Sequence, residues 1–446
     1  MLLETAAILN SDESFMLFNG PPDARPGTPF STRIPFGKGV RRMSQQDLPL
    51  VSIITPSYNQ AGFIAETIQS VLNQDYPNIE HIVVDGGSTD GTAALLQQYS
   101  DRGERFRFVS EPDRGQSHAV NKGVAMAKGE IIGWLNSDDT YVAGAVRKAV
   151  QALRQHPEWA MVHGNCFVIN KNSRSSSSLT VSPATLQRLY ESCCVCQPAA
   201  FFRKHVFQQV GGVDESLHFC MDYDLWIRIA KHYTIGYIPE HLANTRVHES
   251  SKTATQWHSV GIPEVLQTVV KHFGTISNTW MRYAAPYLRM GAFSLLRQIK
   301  ANASCKHTPK VTHMNRYKDL WVPPMFTVAV EADLSSPAHL LLVRGRSSQH
   351  IPTPNEQGVN FQCSVVVNGR LAAVHQITTP SFSLEVPLDR SRLKNEVAIF
   401  SSRFVSLANQ VYPMKRQVSF VAEDVLPLSL DEARLYQTVQ HASRTS

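Results

Sequence analysis

The 446-residue chain has no apolar stretch long enough to span a membrane. Its best candidate, Tyr283–Leu296, is 14 residues long and is broken by Pro286 and Arg289. A spanning helix needs about 20 apolar residues. The opening MLLETAAILNSDESF does not read as a secretory leader: it has no basic residue, and Glu4 interrupts its apolar run. Cysteine is scarce, with seven in the chain, an odd number that excludes a fully paired disulfide scaffold. These thiols read as reduced, which places the protein in the cytoplasm. There is no strong excess of one charge. A net charge of +6 suits an anionic ligand or an anionic membrane surface and is too small to imply nucleic acid. What is present is ordinary: 43% hydrophobic and 18% charged residues, enough for packed cores and too long for one.

Residues 1–48 hold Pro21, Pro22, Pro26, Pro29 and Pro35 and show little periodicity, as in an irregular leader. From Val51 the texture changes. Short apolar runs at Val51–Thr55, His81–Asp85, Phe106–Ser110 and Glu130–Leu135 read as buried strands. Between them, Phe63–Asn73, Thr92–Tyr99 and Gln116–Ala127 carry helical spacing. Alternating strands and helices with short links predict a βαβ array on a parallel sheet. Ligands of such sheets bind at the carboxyl ends of the strands. The strand ends here are Pro56-Ser57-Tyr58-Asn59, Asp85–Gly91, Glu111–Gly115 and Asn136-Ser137-Asp138-Asp139. Asp, Asn and Gly also make turns and helix caps, so one such loop alone decides nothing. Four on one edge point to a site.

Val51–Asn59 (VSIITPSYN), Ile82–Thr92 (IVVDGGSTDGT) and Trp134–Tyr141 (WLNSDDTY) resemble the inverting family 2 glycosyltransferases of GT-A fold. Gly211–Asp214 (GGVD) and Met221–Arg228 (MDYDLWIR) extend the match, which covers roughly residues 49–250. The resemblance implies an α/β fold: a mostly parallel sheet flanked by helices, binding a nucleotide-diphosphate sugar, with a UDP-sugar favoured. It implies a divalent cation, Mn²⁺ or Mg²⁺, to meet the charge growing on the leaving diphosphate. Asp138 matches the metal-binding aspartate of the family's Asp-x-Asp motif, whose first position here is Asn136. Asp139 is then a metal or donor-hydroxyl contact, and Ser137 lies beside it. Asp85 falls where the family binds base or ribose, although Gly86 follows where many members have a second aspartate. Thr55, Pro56 and Tyr58 match the first nucleotide loop, and Tyr58 can stack on a base or pack on the sheet edge. Gly115 and Asn121 fall on the donor-sugar side, beside Arg114, which is either a donor contact or a solvated charge.

Inversion needs a carboxylate that takes the acceptor hydroxyl proton. Asp222 and Asp224 open a predicted helix, where either can also act as a cap. Two residues apart, they point in different directions. The resemblance selects Asp222, preceded here by Met221. His248 follows a predicted strand end and is either a metal ligand or a packed histidine. Cys193, Cys194 and Cys196, with Cys166 and Cys220, read as buried thiols rather than a zinc site. Lys171–Ser178 reads as a mobile low-complexity loop.

Residues from about 255 to 305 look helical, with Arg282, Arg289, Arg297 and Lys300 on one face. That face is either solvated or lies on a membrane, which would suit a lipid-linked acceptor and a peripheral position at the inner face of the membrane. Beyond Met325 the period becomes two. Asn368-Gly369 between alternating runs predicts a hairpin, and residues of about 320–426 a β-sandwich. The expected domains are thus 1–48 leader, 49–254 catalytic, 255–318 helical linker, 319–428 sandwich and 429–446 tail. The processive members' Gln-x-x-Arg-Trp motif is not seen, so one sugar per event is expected, on a glycan or lipid-linked acceptor. A catalytically inactive glycan- or nucleotide-binding module and a sugar-nucleotidyltransferase-like enzyme are the rival readings.

Overall fold

The computed structural model describes residues 48–283, 295–300 except 298, 309–347 except 319, 324 and 334, 361–401, 405–407, 416–418 and 420–445. The expected leader up to residue 47 lies outside the described residues, as does Arg289 of the basic face. The chain forms two compact units, one reaching to Met290 with Arg297–Ser304, the other Gly291–Leu296 with Cys305–Ser446.

In the first unit the strands are β1 (Val51–Ser57), β2 (Ile79–Asp85), β3 (Phe106–Ser110), β4 (Ile131–Trp134), β5 (Thr140–Tyr141), β6 (Trp159–Ile169), β7 (Ser175–Leu179), β8 (Ala200–Arg203) and β9 (Thr234–Arg246). They form one sheet in the order β3-β2-β1-β4-β8-β6-β9-β5, with β7 beside β6. The β3-β2-β1-β4 half is parallel, as the strand–helix alternation predicted. The other half is mixed: β8 runs antiparallel to β4 and β6, while β9 runs parallel to β6. The sheet is therefore of GT-A type but less parallel than expected. β1 is buried at all seven positions, which explains its unbroken VSIITPS run.

Helices cover the sheet. In α1 (Ile64–Leu72) the buried Ile64, Ile68 and Val71 recur at helical spacing. α2 is Thr92–Gln97 and α3 is Gln116–Met126. α3 lies so close to β1 that a side chain at Gly123 would meet Ile54 Cγ2 at 2.3 Å. α4 (Ala145–Gln155) buries Ala145, Val146, Ala149, Val150 and Leu153 in the same core as Val51, Ile53 and Phe201. α5 (Met221–Ala230) precedes β9. After it come α6 (Lys252–Gln256), a π-helical turn at Trp257–Gly261 and α7 (Ile262–Phe273). The serine-rich segment is not a free loop. Asn170–Arg174 makes a turn, with Ser173 at φ +61°, and β7 pairs with β6 from Ile169–Ser175 to Cys166–Leu179. Backbone pairing outweighs its lack of apolar side chains.

The second unit begins with β10 (Lys310–Met314), followed by β11 (Met325–Glu331), β12 (Leu340–Arg346), β13 (Phe361–Val367), β14 (Arg370–Ile377), β15 (Ser381–Pro387) and β16 (Lys394–Ser401). A short ribbon pairs β17 (Val405–Leu407) with β18 (Arg416–Val418), and β19 is Val421–Leu428. One sheet runs β10-β11-β16-β13-β14 and a second β15-β12-β19. Phe326, Val328, Val365 and Ile399 from one sheet share a core with Leu341, Val343, Leu384 and Ala422 from the other, which is the expected sandwich. The expected hairpin is there: Val367 pairs with Arg370, and Asn368 and Gly369 both have positive φ, +50° and +81°. Residues read as a tail form α8 (Leu430–Thr445), which buries Ala433, Leu435, Tyr436 and Val439.

Candidate functional site

The loops after β1 and β2 are laced together. The Asn59 N–H donates to Ser88 Oγ at 2.7 Å, and the Thr89 N–H donates back to Asn59 Oδ1 at 2.9 Å. The Ala61 and Gln60 N–H groups reach Asp90 Oδ2 and Thr92 Oγ1. Asp85 ends β2 fully buried. Its Oδ1 accepts from Ser88 Oγ, and its Oδ2 from the Ser88 N–H and Ser110 Oγ, at 2.5–3.0 Å. Tyr58 stands 62% exposed. Thr55 and Pro56 are both buried. The Thr55 hydroxyl lies 2.9 Å from His81 Nε2 inside the sheet. Burial pushes His81 down to about 3, so its ring is neutral.

Past β4 the side chains divide the work. Asp138 Oδ2 lies 3.1 Å from His248 Nε2, although the residues are 110 apart in sequence. The Asp138 carbonyl accepts from Arg246 Nε at 2.7 Å. The buried Arg246 guanidinium also donates to the Asn170 carbonyl, Ser173 Oγ and Glu66 Oε2, and stacks over Phe63. His248 packs on the same Phe63 ring, and its Nδ1 lies 3.0 Å from Ser250 Oγ. Asp139, read as a metal or donor contact, braces the loop in this structure. It is 4% exposed, and its Oδ1 accepts the Arg246 N–H at 2.8 Å, tying the loop to β9. Burial and then the neighbouring Asp138 charge push its carboxyl well above the usual range. Ser137 is nearly buried, and its carbonyl accepts from Thr67 Oγ1.

Asn136, the departure from Asp-x-Asp, anchors an oriented amide chain. Lys252 Nζ donates to Gln116 Oε1 at 2.9 Å. Gln116 Nε2 donates to Asn136 Oδ1, Asn136 Nδ2 to Gln197 Oε1, and Gln197 Nε2 to the Trp134 carbonyl. Gly115 takes φ +107° at the start of α3, and its N–H donates to Asp113 Oδ1. The Asn121 amide accepts from the Val213 N–H and donates to the Val213 carbonyl and Glu215, which holds the Gly211–Glu215 loop. Arg114 pairs with Glu215 in solvent.

α5 separates its two aspartates. Asp224 is fully buried. Burial alone would raise its carboxyl, but His272, Lys271 and Arg228 hold it well below the usual range. Asp222 is half-buried, and its Oδ1 accepts the Tyr223 N–H at 2.8 Å. Burial pushes its carboxyl up to about 6, into the range of a general base. Glu264, in the first turn of α7, fixes the entry to α5 by accepting the His218, Phe219 and Cys220 N–H groups at 2.6–2.9 Å. Sequence reading missed both Glu264 and Lys252. Lys252 lies at the end of the range read as catalytic and Glu264 in a stretch read only as helical, and nothing local marks their distant partners. Cys166, Cys194, Cys196 and Cys220 are buried free thiols, as expected. Among the described residues, no three or more His, Cys, Asp or Glu side chains form a metal-holding group. Nor is any described helix long and apolar enough to cross a membrane.

The fold and the sequence relatives together define the class: a group-transfer enzyme, a glycosyltransferase. The chain belongs to glycosyl transferase family 2, whose profile matches residues 52–211. An uncharacterized glycosyltransferase of Rickettsia typhi is 32% identical over 220 residues, covering 46% of this chain and 67% of the relative. Chondroitin synthase of Escherichia coli is 29% identical over 184 residues, which is 41% of this chain but only 27% of that protein. Among solved structures, S. aureus TarS 1–349 in complex with UDP-GlcNAc superposes with a TM-score of 0.45 and 18% identity, over 57% of this chain and 79% of that one.

Proposed function

We propose that the first unit transfers one sugar, with inversion, from a nucleotide-diphosphate sugar to a hydroxyl acceptor in polysaccharide or glycoconjugate assembly. The observation that carries this reading is the meeting of Asp138 with His248 across 110 residues. Two ligands side by side on an octahedral ion at about 2.1 Å stand about 3 Å apart, and these two atoms are 3.1 Å apart. The carboxylate oxygen suits Mn²⁺ or Mg²⁺, the added imidazole nitrogen favours Mn²⁺ of the two, and Ser250 at Nδ1 can fix the ring's tautomer. Asp138 and His248 would hold the cation, which supplies positive charge for the leaving diphosphate. Asp222 takes the acceptor hydroxyl proton as that oxygen bonds to the anomeric carbon. The bond from this carbon to the phosphate oxygen breaks, and its electron pair leaves with the diphosphate. The E. coli relative's name places it in polysaccharide synthesis, which favours a glycan acceptor here.

The test is a thermal-shift panel of UDP, GDP, dTDP and CMP with and without Mn²⁺. A ligand at about 100 times its dissociation constant adds about 2.7 kcal/mol. One diphosphate should shift the wild type in a manganese-dependent way, and His248→Ala should lose that dependence. Asp222→Asn should keep the shift and lose transfer. Wild-type turnover in Asp222→Asn refutes the base, and no shift with any nucleotide favours a glycan-binding module instead.

A further inference from the structure

We propose that Phe63 is a positioning residue for the cation pair: its ring, clamped by the buried Arg246 guanidinium, fixes the tilt of the His248 imidazole so that Nε2 is held against the Asp138 carboxylate. This rests on reading Asp138 and His248 as the cation ligands. His248 follows the end of β9, and its side chain is only 6% exposed. An imidazole can turn about χ1 and χ2, and its nitrogen serves a cation in one setting of them. The polar contacts of His248 do not fix that setting by themselves. Nδ1 meets the hydroxyl of Ser250, an exposed residue, and Nε2 meets Asp138, the other ligand. The ring itself lies against Phe63, with centroids 4.6 Å apart and planes at 39°. Such a contact limits the tilt of the imidazole and leaves both nitrogens for their partners.

Phe63 heads α1 and is fixed by the backbone around it. Its N–H donates to the Gln60 carbonyl, and its carbonyl accepts from the Glu66 and Thr67 N–H groups. The residues just before it, Asn59, Gln60 and Ala61, are tied to Ser88, Thr92 and Asp90. Its ring has a second neighbour: Arg246 Cζ stands 5.1 Å from the ring centroid. That guanidinium cannot follow a moving ring. Its side chain is fully buried, and Nε, Nη1 and Nη2 are all engaged, by the Asp138 carbonyl, by the Asn170 carbonyl with Ser173 Oγ, and by Glu66 Oε2. Glu66 lies 180 residues from Arg246 in sequence but on the same helix that Phe63 heads. The contacts therefore close a circuit, from ring to guanidinium to Glu66 and back along α1. Both halves of the cation pair are referred to it, Asp138 through its carbonyl and His248 through its ring. The cation site thus takes its geometry from the loop after β1 as well as from β9.

The experiment titrates Mn²⁺ into the full chain, alone and with UDP, and reads the EPR signal of the free ion against a protein-free blank. Wild type should bind the ion, and His248→Ala should bind it more weakly. Phe63→Leu keeps an apolar side chain without a flat face and should bind Mn²⁺ about tenfold more weakly, with an unchanged urea midpoint. Phe63→Tyr keeps the face and should bind like wild type. Glu66→Ala alters an exposed carboxylate, leaves the ring in place and frees the guanidinium. It should weaken binding in the same direction, and it carries the test should Phe63→Leu fail to fold. Wild-type affinity in Phe63→Leu or in Glu66→Ala, with His248→Ala weakened, overturns the clamp and leaves the cation reading standing. A lowered urea midpoint in Phe63→Leu with wild-type affinity does the same, because it shows packing alone. Weak binding in Phe63→Tyr also overturns it, since the flat face is kept. A wild type that holds no Mn²⁺ even with UDP, or His248→Ala with wild-type affinity, removes the cation reading and this proposal with it.

Discussion

Replacing Asp222 with asparagine should make the protein more stable, by an amount that grows as pH rises from 3.8 to about 6 and is full above that. Asp222 moves from 3.8 to about 6 on folding, chiefly through burial. Each pH unit is worth 1.36 kcal/mol, so the ionised native carboxylate carries a penalty of about 3 kcal/mol. Solvent reaching this half-buried group reduces that to about 1–3 kcal/mol. The direction follows from proton binding. Between pH 3.8 and about 6 the folded state holds the proton and the unfolded chain releases it, so wild-type stability falls as pH rises. Below that window neither state is ionised, and above it the whole penalty applies. Asparagine keeps an oxygen for the Tyr223 N–H and carries no charge. Urea unfolding followed by tryptophan fluorescence, which reports on buried Trp134 and Trp226, checks this at pH 4 and pH 7.5. The variant should gain about 1–3 kcal/mol at pH 7.5 and close to nothing at pH 4. Equal differences at the two pH values, or a loss at pH 7.5, would refute the claim that a buried, strained charge sits there. A gain would mean that the base is kept at the expense of stability.

Asp224→Ala should act oppositely. It strands Arg228, Lys271 and His272 around an empty position and should cost about 3–5 kcal/mol in urea unfolding, with a loss under 1 kcal/mol counting against the buried network. Gly369→Ala places a side chain at φ +81° and should cost the sandwich about 1 kcal/mol, read as a lower midpoint for that unit alone.

The parallel half of the sheet was legible because β1 and β2 are buried throughout and announce themselves as apolar runs. Asn368-Gly369 was legible because only a few turns tolerate two positive φ values. The mixed half was not. β8 is four residues long, and β7 is a run of serines that carries almost no apolar signal. At the site, residue type located the loops but not the direction of each side chain. Asp138 and Asp139 are adjacent, yet one meets His248 while the other turns to the Arg246 N–H. The side chains of Thr55 and Asn121 find partners in His81 and Val213, which residue type alone does not announce. Glu264 and Lys252 find their partners 44 and 136 residues away, a distance no local pattern encodes.

The placement of β9 between β6 and β5 bears on how this enzyme is made. Thr140 and Tyr141 pair with Asn244 and Ala243, strand residues translated about a hundred positions later. At about 5–20 residues per second, the Asp138 loop waits on the order of ten seconds for its sheet neighbour and for His248. A nascent chain stalled before β9 would already carry the parallel β3-β2-β1-β4 strands, yet it would lack the imidazole beside Asp138. Ribosome-bound fragments of increasing length should therefore acquire manganese-dependent nucleotide binding in one step, once His248 has cleared the exit tunnel.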